Sequence, residues 1–229
     1  MSNTSVSGRS DSHRGLKYEE TLRDEFDKFR SSNHSAVNNL FHFLNINKTD
    51  ISRINSTTNI PPLSSGGSAK TDLILNIKFN NGAQKKIKIS AKQSTKNQVS
   101  FHEYPAKTFI DVLGIQDSRT IDLFYKHQNE GSAKNFLPTE KEHFKRSLEP
   151  KKLILWEWAL LGKHHTGTSE DQIVNTIICN DKPFSFEDYK RFLMGKKSGF
   201  GTGFAWTRQS RGTGKTIQLK GPVLSFYQK

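Results

Sequence analysis

The most regular alternation of apolar and polar residues lies between positions 72 and 92. Leu73, Leu75, Ile77 and Phe79 alternate with Asp72, Ile74, Asn76 and Lys78. After Asn80-Asn81-Gly82, Ile87, Ile89 and Ala91 alternate with Lys86, Lys88, Ser90 and Lys92. A period of two on both sides of such a turn predicts a β-hairpin. With those three residues as the loop, Phe79 faces Ala83, Leu75 faces Ile87 and Leu73 faces Ile89, so the apolar side chains pair on one face. A two-residue loop would set Leu73 against a Ser or Lys. The same count sets Asp72 opposite Ser90, with Lys92 one pleat further on that face, which is expected to lie away from the core.

A helical period appears near the start of the chain. Tyr18, Leu22, Phe26 and Phe29 form one stripe, predicting a helix over about 15–30 with Glu19 on its inward side. Residues 1–14 are polar and Ser-rich and are expected to form a disordered tail before a single domain over 15–229. Residues 45–70 read as loop. Ser100-x-x-Glu103 and Thr139-x-x-Glu142 fit helix capping boxes, and Pro150 fits a stop. Ser185-x-x-Asp188 fits the start of a short helix ending at Gly195. Residues 172–179 and 216–220 read as strands. Strands and helices in this order predict an α/β fold, a mixed sheet flanked by helices.

Composition narrows the function. Only 33% of the 229 residues are hydrophobic, but sixteen Phe and three Trp can fill one core. The formal net charge of +13 favours a polyanion, either nucleic acid or an acidic membrane surface. The longest apolar run, 153–161, is broken by Glu157 and falls short of the roughly 20 residues of a membrane span. Cys179 is the sole cysteine, which excludes an internal disulfide or a Cys-based zinc site and suits the cytoplasm. The N-terminus has no hydrophobic signal region.

Between Tyr189 and Lys229 there is no Asp or Glu, while Lys and Arg recur. A one-signed run punctuated by Gly, Thr, Ser and Gln fits a groove along a phosphate backbone. Lys196, Lys197, Arg211 and Lys215 are the candidate phosphate contacts. Gln218 and Lys220 are two apart on a strand and share a face. A Gln can read a base edge, and a Lys can donate to guanine O6 and N7.

At the hairpin's open end the carboxylate of Asp72, the hydroxyl of Ser90 and the ammonium of Lys92 suit phosphodiester hydrolysis. Mg²⁺ takes oxygen ligands, here Asp72 and the Ala91 carbonyl, and it polarises a phosphate and acidifies a water. Lys92 would orient that water and stabilise the transition state. An Asp and a Lys at such positions are commonplace, so spacing alone leaves a solvated hairpin end as the simpler reading. Gly199-Phe-Gly-Thr-Gly203 lacks the strand-turn-helix setting of a dinucleotide site and is expected to form a tight turn approaching a DNA backbone. The segment Gly212-Thr-Gly-Lys-Thr216 lacks the first P-loop glycine. His164 and His165 read as loop residues, and Trp156 and Trp158 as core.

Ser65-Gly-Gly-Ser-Ala-Lys-Thr-Asp72 followed by Ile89-Ser-Ala-Lys92 resembles the PD-(D/E)xK nuclease motif and, more closely, the MspI-type restriction endonucleases. Val99-Ser-Phe-His-Glu-Tyr104, Lys126-His-Gln-Asn-Glu-Gly-Ser-Ala-Lys134, Ser147-Leu-Glu-Pro150, Gly199 to Gly203, Trp206-Thr207 and Gln218-Leu-Lys-Gly221 follow in family order. The resemblance implies the restriction-endonuclease-like fold and Mg²⁺-dependent cleavage of double-stranded DNA leaving 5′-phosphates. It further implies the target CCGG cut after the first C, and a partner methyltransferase. It places Asp72 and Lys92 on the catalytic Asp and Lys. Ser90 falls where most of the superfamily carries Glu or Asp and the nearer family Asn. Either Ser90 binds the metal through a water or a second carboxylate completes the site, with Glu19 the candidate and a capping or exposed Glu19 the simpler alternative. Ser100, Thr207, Ser210, Gln218 and Lys220 match base-contacting positions, and Arg208 stands where the family has an aromatic residue. A monomer in solution is expected. The Ser90 departure keeps open a DNA-binding protein without catalysis, and the basic charge an RNA-binding one.

Overall fold

The computed structural model describes residues 5–196, 199–211 and 214–227. Lys197 lies outside them, as do the side chains of residues 5–14 and of Arg211. In chain order the elements are α1 (Ser5–Asp27), α2 (Ser35–Phe43), β1 (Ile51–Thr57), β2 (Leu73–Phe79), β3 (Gln84–Lys92), β4 (Gln98–Tyr104), α3 (Ala106–Leu113), α4 (Ser118–Glu130), α5 (Pro138–Leu148), α6 (Lys152–Leu161), β5 (Thr176–Cys179), β6 (Lys182–Phe184), α7 (Phe186–Met194), β7 (Ala205–Arg211) and β8 (Gly214–Pro222). The mixed α/β reading holds, but the strands form two sheets and the chain divides into two compact units.

The first unit comprises Met1–Thr95, Gly167–Phe186 and Val223–Lys229. Its sheet has the order β1-β2-β3-β5-β6, with β3 and β5 parallel and the other pairs antiparallel. Tyr18, Leu22 and Phe26 of α1, with Phe29 beyond it, join Val37, Leu40 and Phe41 of α2 over Leu73, Leu75, Ile77, Ile87 and Ile89. Leu22 and Phe26 are fully buried, each burial contributing about 1.5–3 kcal/mol. The helix begins at Ser5 rather than near residue 15, so residues 5–14, expected in a tail, continue its backbone. The segment contains no proline, and extending a formed helix adds one hydrogen bond per residue fixed.

The hairpin has the register that its apolar residues require. Leu73 pairs with Ile89 and Leu75 with Ile87, and the Phe79 N–H donates to the Ala83 carbonyl at 2.9 Å. The opposite face differs from expectation at its Asp72 end, where Ile74, Lys88 and Ser90 are buried rather than solvated. There the Lys88 ammonium donates to the Glu170 carbonyl at 2.7 Å and pairs with its carboxylate. β1 lies within the stretch read as loop. A register shift between Ile51 and Arg53 breaks its alternation, so it carries no period of two in sequence.

The second unit, Lys96–Thr166 with Glu187–Pro222, holds the antiparallel sheet β4-β8-β7 and helices α3 to α7. The supposed cap Ser100-x-x-Glu103 is strand β4, and the helix begins only after Pro105. Pairing with β8 overrides the local capping signal there. The box expected from Thr139 is shifted too. α5 starts at Pro138, and Glu140 rather than Glu142 accepts from the helix-entry N–H, that of Leu137, at 2.7 Å. Phe109, Phe124, Phe144, Trp158 and Trp206 interlock as the aromatic core. The glycine turn 199–203 packs inward: Trp156 donates to the Thr202 carbonyl at 2.7 Å and Trp206 to its hydroxyl at 2.8 Å. No helix among the described residues is long and apolar enough to cross a membrane.

Candidate active site and nucleic-acid interface

In the first unit, the ladder itself fixes the backbone of the candidate active site. The Asp72 N–H donates to the Ile89 carbonyl at 2.8 Å, and Asn180 N–H holds the Lys92 carbonyl at 2.9 Å. Within that frame one carboxylate oxygen, Asp72 Oδ2, collects three donors. These are the Ala91 N–H at 2.8 Å, the Ser90 hydroxyl at 3.1 Å and the Lys92 ammonium at 3.1 Å. Because a strand residue directs its N–H and C=O to the same side, the Ala91 carbonyl also turns toward the β2 edge beside Asp72. Ser90 is wholly buried, and Asp72 and Lys92 are mostly so, at 18% and 17% side-chain exposure.

The charges are strongly coupled. Burial works against the Lys92 charge, but Asp72, through its charge and hydrogen bond, and then Glu19 outweigh it, so Lys92 is pushed up and stays protonated. Glu19 is raised to about 7, first by burial and then by the negative charge of Asp72, with Lys92 opposing. The Glu19 carboxyl, on the inward stripe of α1, therefore feels the charges of both Asp72 and Lys92. Lys70 joins them unforeseen. Burial, and then the charge of Lys92, push it well below the usual lysine range. Lys70 precedes β2, in the bend that leads to Asp72, where no strand period marks it in the sequence.

No group of three or more His, Cys, Asp or Glu able to hold a metal occurs among the described residues. The donor set is instead two carboxylates, Asp72 and Glu19, with the oxygens of Ser90 and Ala91. Hard oxygens in small number suit Mg²⁺, which binds through one or two carboxylates and keeps several waters. Glu19 is raised first by burial and only second by the charge of Asp72, and a nearby cation would favour the ionised form against both.

In the second unit, residues paired across β4, β8 and β7 share a face. Ser100 pairs with Lys220 and Lys220 with Ala205; Glu103 pairs with Gln218 and Gln218 with Thr207; Thr216 pairs with Gln209. One polar face therefore gathers Ser100, Thr207, Gln218 and Lys220, together with Glu103, Gln209 and Thr216, which sequence reasoning missed. Reading Glu103 as a helix cap hid it; Gln209 and Thr216 each lie two residues from a recognised position.

Arg208, Ser210 and Lys215 do not join that face. They alternate onto the side of Ile217 and Leu219, which is buried against the helices. Arg208 donates to the Asn129 carbonyl at 2.7 Å and Lys215 to the same oxygen at 3.4 Å. That carbonyl is in the last turn of α4, where cations favourably offset the helix dipole. Lys196 is exposed, its ammonium 4.7 Å from the Phe192 ring centroid.

A family model described as restriction endonuclease MspI matches residues 11–221. The chain is similar to the type II restriction enzyme MspI of a Moraxella species, 28% identical over 232 residues that span 90% of this chain and 88% of that one. It is also similar to the type II restriction enzyme BsuFI of Bacillus subtilis, 30% identical over 179 residues, 75% of this chain and 45% of that one. A crystal structure of restriction endonuclease MspI in complex with its cognate DNA superposes with a TM-score of 0.77 at 26% identity, covering 96% of this chain and 94% of that chain. Matched along nearly its whole length, with the hairpin and its Asp72–Lys92 pair inside the matched region, the chain belongs to the MspI family of type II restriction endonucleases.

Proposed function

We propose that the protein hydrolyses phosphodiesters of double-stranded DNA at a specific sequence, with Asp72 and Lys92 carrying the chemistry and Mg²⁺ as cofactor. The observation that carries this reading is the convergence of Ala91 N–H, Ser90 and Lys92 on a single oxygen of Asp72. That convergence pins one carboxylate oxygen and leaves Oδ1 for a cation. Asp72, the Ala91 carbonyl and Glu19 would hold the metal, with Ser90 fixing Asp72 instead of replacing the missing carboxylate. When bound, Mg²⁺ supplies Lewis-acid polarisation of the phosphate and a more acidic water.

The chain's own residues do the rest. Lys92 stays charged, so it acts as a donor to the attacking water and to the pentacovalent phosphorane, not as a base. The water oxygen bonds to phosphorus and loses its proton to solvent. The P–O3′ bond breaks, O3′ takes up a proton, and a 5′-phosphate and a 3′-hydroxyl result. The polar face of β4-β8-β7 would read base edges, with Lys220 and Gln218 at its centre, and Lys196, Lys197, Arg211 and Lys215 would serve phosphates. The MspI relationship supports CCGG, cut after the first C, as the target. A cytoplasmic monomer acting beside a methyltransferase that protects the same sequence completes the reading.

The test is a digest of phage DNA with and without Mg²⁺, followed by sequencing of the fragment ends. Discrete fragments sharing one end sequence, formed only with the metal, are expected. A retarded but uncut DNA would overturn catalysis in favour of a binding protein, and a preference for structured RNA would overturn both.

A further inference from the structure

A carboxylate on a surface meant to face phosphates is electrostatically unfavourable, yet Glu103 sits in the middle row of the polar face in the second unit. Its two oxygens are both engaged there. Glu103 Oε1 accepts from the Thr216 hydroxyl at 3.0 Å, and Oε2 accepts from Gln218 Nε2 at 3.2 Å. An ionised carboxylate only accepts, so this contact fixes which end of the Gln218 amide carries the nitrogen. The other end is taken as well: Gln218 Oε1 accepts from Gln209 Nε2 at 2.9 Å and from the Thr207 hydroxyl at 3.3 Å. Gln218 is only 6% exposed, so it has little room to turn over.

A glutamine free to orient itself reads adenine, accepting from N6 and donating to N7. Gln218 has its oxygen turned into the protein and one amide hydrogen committed to Glu103. What it can still offer is its second Nε2 hydrogen. Lys220, two residues along the same face, is also a pure donor. Two donors side by side match the N7 and O6 acceptors of guanine and have nothing to offer the N6 amino group of adenine.

We propose that Glu103 is a specificity-determining positioning residue, which by holding Gln218 Nε2 commits Gln218 to donating and so selects guanine over adenine at one base pair of the target. The inference rests on the reading of this protein as a sequence-specific DNA-binding enzyme. It assigns Glu103 no contact with DNA; it acts through Gln218.

The experiment uses the full chain in EDTA, where DNA is bound without being cut. Affinities are measured for a duplex carrying the sequence found at the cut ends, for duplexes with one G·C replaced by A·T, and for unrelated DNA. Glu103→Gln is expected to lower the preference for the target over one G-to-A duplex by about tenfold, the scale of one base contact. Affinity for unrelated DNA should hold or rise, since a negative charge is removed. In a double-mutant cycle, Glu103→Gln with Gln218→Ala should discriminate no worse than Gln218→Ala alone. Thr216→Val, which frees Glu103 without changing charge, should lower the same ratio and guards against a misfolded Glu103→Gln. An unchanged ratio in these variants, or losses that multiply in the double variant, would overturn the proposal. A wild-type protein that prefers no sequence at all would instead overturn the parent reading, and the proposal with it.

Discussion

Asp72 is the residue on which most of the candidate chemistry converges. Its Oδ2 carries three hydrogen bonds, and Lys92, mostly buried, depends on it for charge balance. Removing either partner should remove the hydrolytic step without removing the polar face of the other unit. Asp72→Ala and Lys92→Ala are each expected to slow cutting by at least about 10²-fold, the scale of losing one charged group aimed at a transition state. Binding by gel shift should stay within a few-fold of wild type. Wild-type cutting rates in either variant would take these residues out of the active site.

At the scale of elements, the turn between α7 and β7 shows how glycines build a support. Gly199, Gly201 and Gly203 all have positive φ, and the turn is anchored by Trp156 and Trp206. They are not equivalent. A Cβ on Gly199 would lie 1.6 Å from the Phe204 carbonyl oxygen, which is backbone and cannot yield. A Cβ on Gly201 would meet only the flexible Lys145 side chain, at 3.3 Å. Gly201→Ala should therefore cost about 1 kcal/mol for its left-handed backbone, and Gly199→Ala more than about 2 kcal/mol. Urea unfolding followed by tryptophan fluorescence should rank them in that order. Equal midpoints would show that the turn relaxes around the clash.

At the scale of the whole molecule, stability should respond to pH in opposite senses in the two units. In the second unit, His127 is fully buried among Phe136, Phe200 and Trp206, and burial pushes it from 6.5 down to about 4. The unfolded chain then binds the extra proton first. This unit is most stable above about pH 6.5 and loses up to about 3 kcal/mol as pH falls through 4. In the first unit, Glu19 is raised from 4.5 to about 7, so its contribution is present below 4.5 and is lost as pH rises through 7. All three tryptophans, Trp156, Trp158 and Trp206, belong to the second unit. Thermal melts by tryptophan fluorescence should therefore shift down between pH 7 and pH 4. A flat profile, or a downward shift that persists in His127→Phe, would show that His127 is not the cause.

Strict periodicity made some features legible from sequence alone. The hairpin register follows from pairing Leu73 with Ile89 and Leu75 with Ile87, because a slip of one residue would turn every apolar side chain out of the core. That register brought Asp72, Ser90 and Lys92 together before any coordinates, and the stripe on α1 brought Glu19 toward them. The division into two units was not legible, nor was β1, whose alternation is interrupted by its bulge. Strand β4 and the place of Glu103 on its polar face were hidden because a capping box and a strand can share the same four residues until a partner strand decides between them. Which face Arg208 and Ser210 occupy depended on the pairing of β7 with β8. Local sequence sets the period and phase of each element, since those depend on neighbours along the chain. Only the tertiary structure sets which faces meet, because burial, charge coupling and the orientation of Gln218 come from residues far apart in sequence.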